Sequence, residues 1–327
     1  MSERPIRVAV VGAGEFGKNH ARVWRELGGV NLVGVVDTNT ERARQVAAEF
    51  GTEAITDLRA LGRERFDAAS LAVPTREHAR IGCQLLEAGL DVLVEKPIAA
   101  SLREADQLIA AARRFGSILQ VGHVERFNAA VVAAQKIVTR PLFFEVHRLG
   151  IFTPRSLDVD VIYDVMIHDL DILLALVNSP VVDLKAVGIP VITDKVDIAH
   201  ARVEFATGTV ANVTASRVST ERVRKMRFFQ EHEYISLDFT RQDVLRIRVR
   251  SGESQPEIGF EKVPTTPEEP LRAELRAFAE SVRTRRPPTV DGAAGRRALE
   301  LADCVTAGIL DHARRVQPDA FAAEEVR

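Results

Sequence analysis

The stretch IRVAVVGAGEFGKNHARVWREL, residues 6–27, decides the fold. Ile6 to Val11 is a short, uninterrupted apolar run that stops at Gly12, the pattern of a strand buried on both faces. A helical stretch over 16–27 follows, with only a glycine turn between them. That turn, Gly12-Ala-Gly14-Glu15-Phe16-Gly17, fits G-x-G-x-x-G and stands between a strand and a helix, where the pattern has a mechanism. Gly12 permits the tight turn, Gly14 lets the backbone approach a pyrophosphate, and Gly17 lets the helix pack closely on the sheet. The N–H groups around Glu15 and Phe16 then face the phosphates at a helix N-terminus. The second strand, NLVGVVD (31–37), ends on Asp37, about 20 residues past Gly17. A carboxylate there accepts hydrogen bonds from the adenosine ribose and repels a 2′-phosphate, so NAD is the expected cofactor in preference to NADP.

The same alternation continues outward. A helix at 41–51 closes on Gly51, a strand at 66–73 stops at Pro74, and a helix follows at 78–88. A strand at 91–96, a helix at 101–116 with Ser101 as N-cap and Gly116 as its stop, and a strand at 117–123 complete the series. Strict strand–helix alternation predicts right-handed crossovers and a parallel sheet covered on both faces. The rhythm changes after 123. Helices are predicted at 125–138 and 161–177, with a strand at 142–149. Strands then follow at 182–192, 198–206, 209–218, 223–230, 233–239, 243–250 and 258–263, with a tight turn at Thr207-Gly208. Arg246, Arg248 and Arg250 alternate with Leu245, Ile247 and Val249, one charged face and one apolar face, as in an open antiparallel sheet. A Pro-rich stretch at 264–270 leads to helices at 271–284 and about 293–313. The expected architecture is α/β: a Rossmann dinucleotide-binding domain over 1–123, then an α+β domain with a large, mostly antiparallel open sheet over 124–327, for substrate binding and oligomerisation.

Bulk properties narrow the partners. The 327 residues suit two domains, and 46% hydrophobic with 28% charged residues is ordinary for a soluble globular chain. A net charge of −2 gives no global field favouring nucleic acid or anionic membranes. Arg222, Arg224, Lys225 and Arg227 form a basic run, but Glu221, Glu231 and Glu233 lie nearby, which fits a charge-paired sheet face better than a nucleic-acid surface. The two cysteines, Cys83 and Cys304, lack metal-ligand neighbours and point to a reducing compartment. The opening MSERPIRVAVVGAG lacks a signal-peptide layout, so a cytoplasmic protein with no membrane partner is expected.

Two further constellations carry chemistry. Glu95-Lys96-Pro97 sits at the carboxyl end of the 91–96 strand, the edge at which open α/β sheets bind ligands. Pro74 and His78 lie at the matching end of the preceding strand and line the same crevice. Asp164, His168 and Asp171 fall at i, i+4 and i+7 of a strongly apolar helix and share one face. Such a stripe is either a satisfied core pair or a set of groups facing a cavity. Asp and His also suit a metal, but no third His or Cys is near, and no metal is expected.

Together these blocks resemble the Gfo/Idh/MocA oxidoreductase family: GAGEFGKNH (12–20), AVPTREH (72–78), EKP (95–97) and the D-x-x-x-H pair at 164 and 168. The resemblance spans nearly the whole chain. It implies that Lys96 and His168 are catalytic, that Asp164 positions the substrate, and that a cis Lys96–Pro97 peptide is to be expected. Within the family, VGHVERFN (121–128) and DVMIHDLDI (164–172) are most similar to the UDP-N-acetylglucosamine 3-dehydrogenase group. That similarity implies oxidation of a sugar 3-hydroxyl on a UDP-linked substrate, a homodimer or homotetramer, and Arg126, Arg148 and Arg155 as contacts for the diphosphate.

A secondary hydroxyl gives up hydride only as a base takes its proton. An imidazole suits that task near neutrality, and a lysine stabilises the developing charge on the same oxygen. Spacing does not decide which of Lys96 and His168 takes the proton. Two other readings stay open: a dehydrogenase for another sugar or an inositol-type cyclitol, and a non-catalytic NAD-binding sensor, which would have no need to keep Lys96, Asp164 and His168.

Overall fold

A computed structural model describes residues 4–153, 159–250 and 256–316. The chain separates into two units, one comprising 1–127 with 268–299, the other 128–267 with 300–327. The second strand set therefore ends where the chain returns to the first unit. A division at 123 that assigns everything beyond it to one domain misses this return, because it depends on a non-local packing face.

The described residues of the first unit form a six-stranded parallel sheet in the order β3-β2-β1-β4-β5-β6. Its strands are β1 (Ile6–Val11), β2 (Val30–Val36), β3 (Glu53–Ile55), β4 (Ala68–Leu71), β5 (Asp91–Glu95) and β6 (Leu119–Gly122), alternating with α1 (Glu15–Glu26), α2 (Thr40–Phe50), α3 (His78–Glu87) and α4 (Leu102–Phe115). The three-residue β3 was not expected from the sequence. The helix ends follow the predicted chemistry: Ser101 Oγ accepts from the Glu104 N–H at 3.3 Å, and Gly51 and Gly116 close their helices in the left-handed region. Val8, Val10, Leu93 and Trp24 are essentially unexposed, and the returning helix α7 (Pro270–Thr284) adds Leu275, Phe278, Ala279 and Val282 to the same core. Trp24 and Phe278 meet ring to ring at 6.3 Å, and Trp24 Nε1 donates to Ser70 Oγ at 2.8 Å.

The described residues of the second unit form an eight-stranded sheet in the order β14-β13-β12-β11-β7-β10-β9-β8. The strands are β7 (Pro141–Leu149), β8 (Val181–Ile189), β9 (Ile198–Phe205), β10 (Val210–Ser216), β11 (Val223–Gln230), β12 (Glu233–Asp238), β13 (Asp243–Arg250) and β14 (Glu257–Val263). All neighbours are antiparallel except β7 and β10, which run parallel. One face is covered by α5 (Ala129–Gln135), by α6 (Ile167–Val177) and, over β8, by the later part of α8 (Gly292–Val316), where an added Cβ at Gly308 would sit 3.2 Å from Leu184.

The alternation in β13 holds, but the charged side is not the solvent side. Arg246 and Arg248 reach Glu233, with the Arg246 side chain only 12% exposed, whereas Leu245 and Val249 are exposed. Phe143, Phe229, Tyr234, Ile247 and Phe260 stand in one cross-strand row on that outer face. Phe229 lies 5.8 Å from Phe143 and 5.2 Å from Tyr234, and Phe260 is 72% exposed.

Candidate active site

In the first unit the singled-out residues gather at the carboxyl edge of the parallel sheet. Gly12 has φ +101°, and a Cβ there would strike the Ala72 carbonyl. A Cβ at Gly17 would collide with the Gly12 carbonyl, which is the close helix–turn packing the pattern predicts. At Gly14 a Cβ would meet nothing within 4 Å. The turn is therefore closed on its flanks and open at its middle glycine, the space a pyrophosphate needs. Gly14 is also the N-cap of α1 and brings no side chain to the first turn, where Glu15 and Phe16 are both exposed.

Asp37, just past β2, accepts from the Ala13 N–H through Oδ2 and from the Asn39 N–H through Oδ1, both at 2.8 Å. It ties the glycine turn to the second strand. A carboxylate offers about four lone-pair positions, so two remain for ribose hydroxyls. Arg42 Nε stands 3.7 Å from the same carboxylate. Turn and carboxylate together fit a dinucleotide.

Lys96 is half-buried at the end of β5, and its peptide to Pro97 is cis. Two neighbours expected to line the crevice are turned inward instead. His78 is 1% exposed, with Nδ1 2.9 Å from the Pro97 carbonyl and Nε2 3.0 Å from the Val73 carbonyl. A buried carbonyl requires a donor, and the single N–H of the neutral ring supplies it to one of these two carbonyls, at the junction of two loops. Burial holds the His78 imidazole below its usual pKa, against the opposing pull of those carbonyls. Glu95 turns its carboxylate onto His20, whose Nε2 is 2.9 Å from Oε1. Pro74 remains exposed at the end of the β4 loop.

In the second unit, Asp164 and His168 are both half-buried, and the helix that carries them does not start as an α-helix. Ile162–Met166 is a π-turn in which the Ile167 N–H donates to the Ile162 carbonyl, five residues back. Such wide turns concentrate at functional sites. Its start is fixed by Asp160, whose Oδ1 accepts from the Val196 N–H at 2.8 Å, and by the Tyr163 hydroxyl, which donates to Asp303 at 2.8 Å. Burial, reinforced by Asp303, pushes the Tyr163 phenol up to about 12. Asp171 is buried at 2% exposure, on the core side of the stripe.

Of the three arginines, Arg148 is 5% exposed and forks onto Asp169, with Nε to Oδ2 at 2.7 Å and Nη2 to Oδ1 at 2.8 Å, while its guanidinium lies 4.7 Å over the Phe239 ring. That is the geometry of a core ion pair, in which a buried charge has its partner, rather than of an open anion contact. Arg126 is half-buried in the 3-10 turn Val124–Phe127 after β6. Arg155 lies outside the described residues. His20 was not singled out from the sequence, although Gly17, His20, Ala21 and Trp24 follow the i, i+3, i+4, i+7 spacing of an inward helix face. A polar residue on such a face signals a buried partner.

Known proteins match this arrangement in both units. Residues 6–123 match the model of the Gfo/Idh/MocA oxidoreductase family, NAD-binding Rossmann fold, and residues 134–235 match a Gfo/Idh/MocA C-terminal domain. UDP-N-acetylglucosamine 3-dehydrogenase of Acidithiobacillus ferrooxidans is 40% identical over 301 residues, covering 91% of this chain and 95% of that one. A solved structure of that enzyme superposes with a TM-score of 0.88 at 38% identity, covering 93% of this chain and 97% of that one. Inositol 2-dehydrogenase 4 of Saccharopolyspora erythraea is 35% identical over 184 residues, 52% of this chain and 54% of that one. A levoglucosan dehydrogenase solved with NADH shares the fold at a TM-score of 0.85 and 19% identity, covering 94% of this chain and 97% of that one. With two domain matches in the expected order and a relative matched almost end to end, the chain belongs to the Gfo/Idh/MocA family of NAD-binding oxidoreductases.

Proposed function

We propose that the protein oxidises the 3-hydroxyl of a UDP-N-acetylated sugar, UDP-N-acetylglucosamine first among them, with NAD. The observation that carries the substrate is the 40% identity to the Acidithiobacillus enzyme across 91% of the chain, which takes in Lys96, Asp164 and His168 alike. The half-length match to an inositol dehydrogenase makes a cyclitol the competing substrate.

The dinucleotide is held by the glycine turn at Gly12, Gly14 and Gly17, by the first-turn N–H groups of α1 and by Asp37. When bound, it supplies the acceptor for the hydride that leaves the sugar carbon. His168 takes the hydroxyl proton as that carbon becomes a ketone, and Lys96 donates a hydrogen bond to the oxygen on which charge develops. Asp164, four residues before His168 on the same helix, orients the imidazole or a neighbouring hydroxyl. Arg126 and Arg155 remain the proposed contacts for the diphosphate, since the fork of Arg148 is already filled by Asp169.

A second copy of this chain is the proposed partner of the outer sheet face. A row of five largely apolar side chains crosses β7, β11, β12, β13 and β14 and ends in Phe260, which is 72% exposed, with Ile258 60% exposed beside it. No helix among the described residues is long and apolar enough to cross a membrane. Both cysteines are free thiols, which suits the cytoplasm.

The test is a substrate panel with NAD, read at the absorbance of the reduced nicotinamide. UDP-N-acetylglucosamine should give turnover and a 3-keto product by NMR. Turnover with myo-inositol or free glucose but not with the UDP-sugar would overturn the substrate. Tight NAD binding with no turnover on any of them would favour a sensor.

A further inference from the structure

His20 occupies a position that the proposed chemistry does not use. It is fully buried on α1, one turn beyond Gly17, with Nε2 2.9 Å from Glu95 Oε1. The two residues are 75 positions apart in sequence, so the fold brings them together. On its other side Glu95 faces Gly122, its register partner on β6. A Cβ on Gly122 would lie 2.9 Å from Oε1 and 3.1 Å from the Cα of Glu95. The carboxylate is thus wedged between an imidazole and the bare backbone of the next strand, and its side chain is 14% exposed. Burial opposes its ionisation, but the His20 hydrogen bond, with the charges of His20, Lys96 and His78, holds it below the usual carboxylate range.

The residue after Glu95 is Lys96, and the residue after that is Pro97, whose carbonyl faces His78 at 2.9 Å. Lys96 is therefore flanked by two residues, each braced by a buried histidine. The brace on the Glu95 side comes from the helix whose N-terminal turn is the phosphate-binding loop. We infer that His20 is a positioning residue, which through Glu95 sets the Lys96 segment relative to the dinucleotide turn. The inference rests on the reading of Lys96 given above. Its physical force is that a misplacement of about 1 Å in a reacting group costs on the order of 10²-fold in rate. A buried carboxylate that loses its donor rotates toward water or takes up a proton, and either outcome removes the contact that fixes the residue before Lys96.

The test compares His20→Gln, whose amide nitrogen falls near the place of Nε2, with His20→Leu and with His20→Asn, which is too short to reach. Each is measured for melting temperature, for NADH affinity by fluorescence titration, and for kcat and KM on whichever panel substrate the wild type turns over. His20→Leu and His20→Asn should lose roughly 10- to 100-fold in kcat. NADH affinity should stay within about threefold of wild type, which corresponds to well under 1.4 kcal/mol. His20→Gln should recover most of the rate. In a Lys96→Ala background, His20→Asn should cost nothing further, because its effect passes through Lys96. A folded His20→Asn with wild-type kcat overturns the inference, and so does a loss that persists undiminished in the Lys96→Ala background. Melting temperatures that fall while kcat per folded molecule stays constant would show a merely structural pair. Full turnover in Lys96→Ala alone would remove the underlying reading of Lys96, a result distinct from any of these.

Discussion

The two sheets treat their second face differently. The parallel sheet of the first unit is covered on both sides, so its strands are nearly continuous apolar runs and its chemistry is confined to the strand ends. The eight-stranded sheet covers one face only. Its proposed chemistry sits on a covering helix, and its other face carries a partly exposed, mostly aromatic row that ends in the exposed Phe260. A sheet buried twice offers an edge as its site, whereas a sheet buried once leaves a whole surface for another molecule.

The largest effect should come from the groups that each sheet contributes to the chemistry. Lys96→Ala, at a strand end, and His168→Asn, on the covering helix, should each lower turnover by roughly 10²–10⁴-fold, with melting temperature and NADH binding retained. Steady-state rates and thermal melts on the same preparations decide it. A loss in only one variant would assign proton handling to one unit. Near-wild-type turnover in folded His168→Asn would remove the imidazole from the mechanism.

Next comes the contrast of the faces themselves. Leu93 is unexposed on β5 of the parallel sheet, and Leu93→Ala should cost about 2–5 kcal/mol in urea unfolding. Phe260→Asp, on the outer face, should leave the secondary structure intact but halve the mass measured by light scattering at micromolar protein. A wild-type monomer under those conditions would leave the open face without a second copy to cover it and overturn the proposed partner.

Asp37→Ala acts at the edge of the first sheet. Removing a charged acceptor from the ribose should weaken NAD binding by roughly 10- to 100-fold. It also leaves Arg42 unopposed beside the 2′ position, so NADP should gain. Tighter binding of NADP than NAD by the wild type would show that Arg42 dominates the carboxylate.

The smallest effect is that of pH on stability. Burial depresses the His78 pKa, so the folded chain takes up this proton less readily than the unfolded chain does. The stability so contributed is complete above about 6.5, the ordinary histidine value, and is lost as pH falls below it toward the depressed folded value. His200, on the open sheet face, is lowered by burial and by His147 but is half-exposed, so it contributes less. Melting temperatures between pH 7.5 and 5.5 should fall, and more of that slope should vanish in His78→Asn than in His200→Asn.

Much of this was legible in the sequence because it is local. The strand–turn–helix of 6–27, the caps at Ser101, Gly51 and Gly116, and the strand rhythm beyond 180 all depend on neighbours within a few residues. What the sequence hid depends on partners far along the chain. Asp169 claims the fork of Arg148 from 21 residues away, His20 finds Glu95 across 75, and β10 runs parallel to β7 inside a sheet otherwise antiparallel. The π-turn at 162–166 was hidden for another reason: a strongly apolar run specifies a helix without specifying its pitch. Of the candidate site, the glycine turn and Asp37 were legible in the residues and the roles of Lys96 and His168 only in the family resemblance, while the inward turn of His78 and Glu95 needed three dimensions.

The return of residues 268–299 to the first unit has a consequence for how the protein is made. Trp24 and Val10 share their core with Leu275, Phe278 and Val282, so a nascent chain that has emerged as far as Phe127 lacks one wall of its own first unit. The dinucleotide-binding half cannot finish folding before some 140 further residues of the other half have been synthesised. A gene cut after residue 127 would yield a nucleotide-binding fragment with an open apolar flank, prone to aggregate, whereas joining 268–299 to it through a short linker would restore the missing wall.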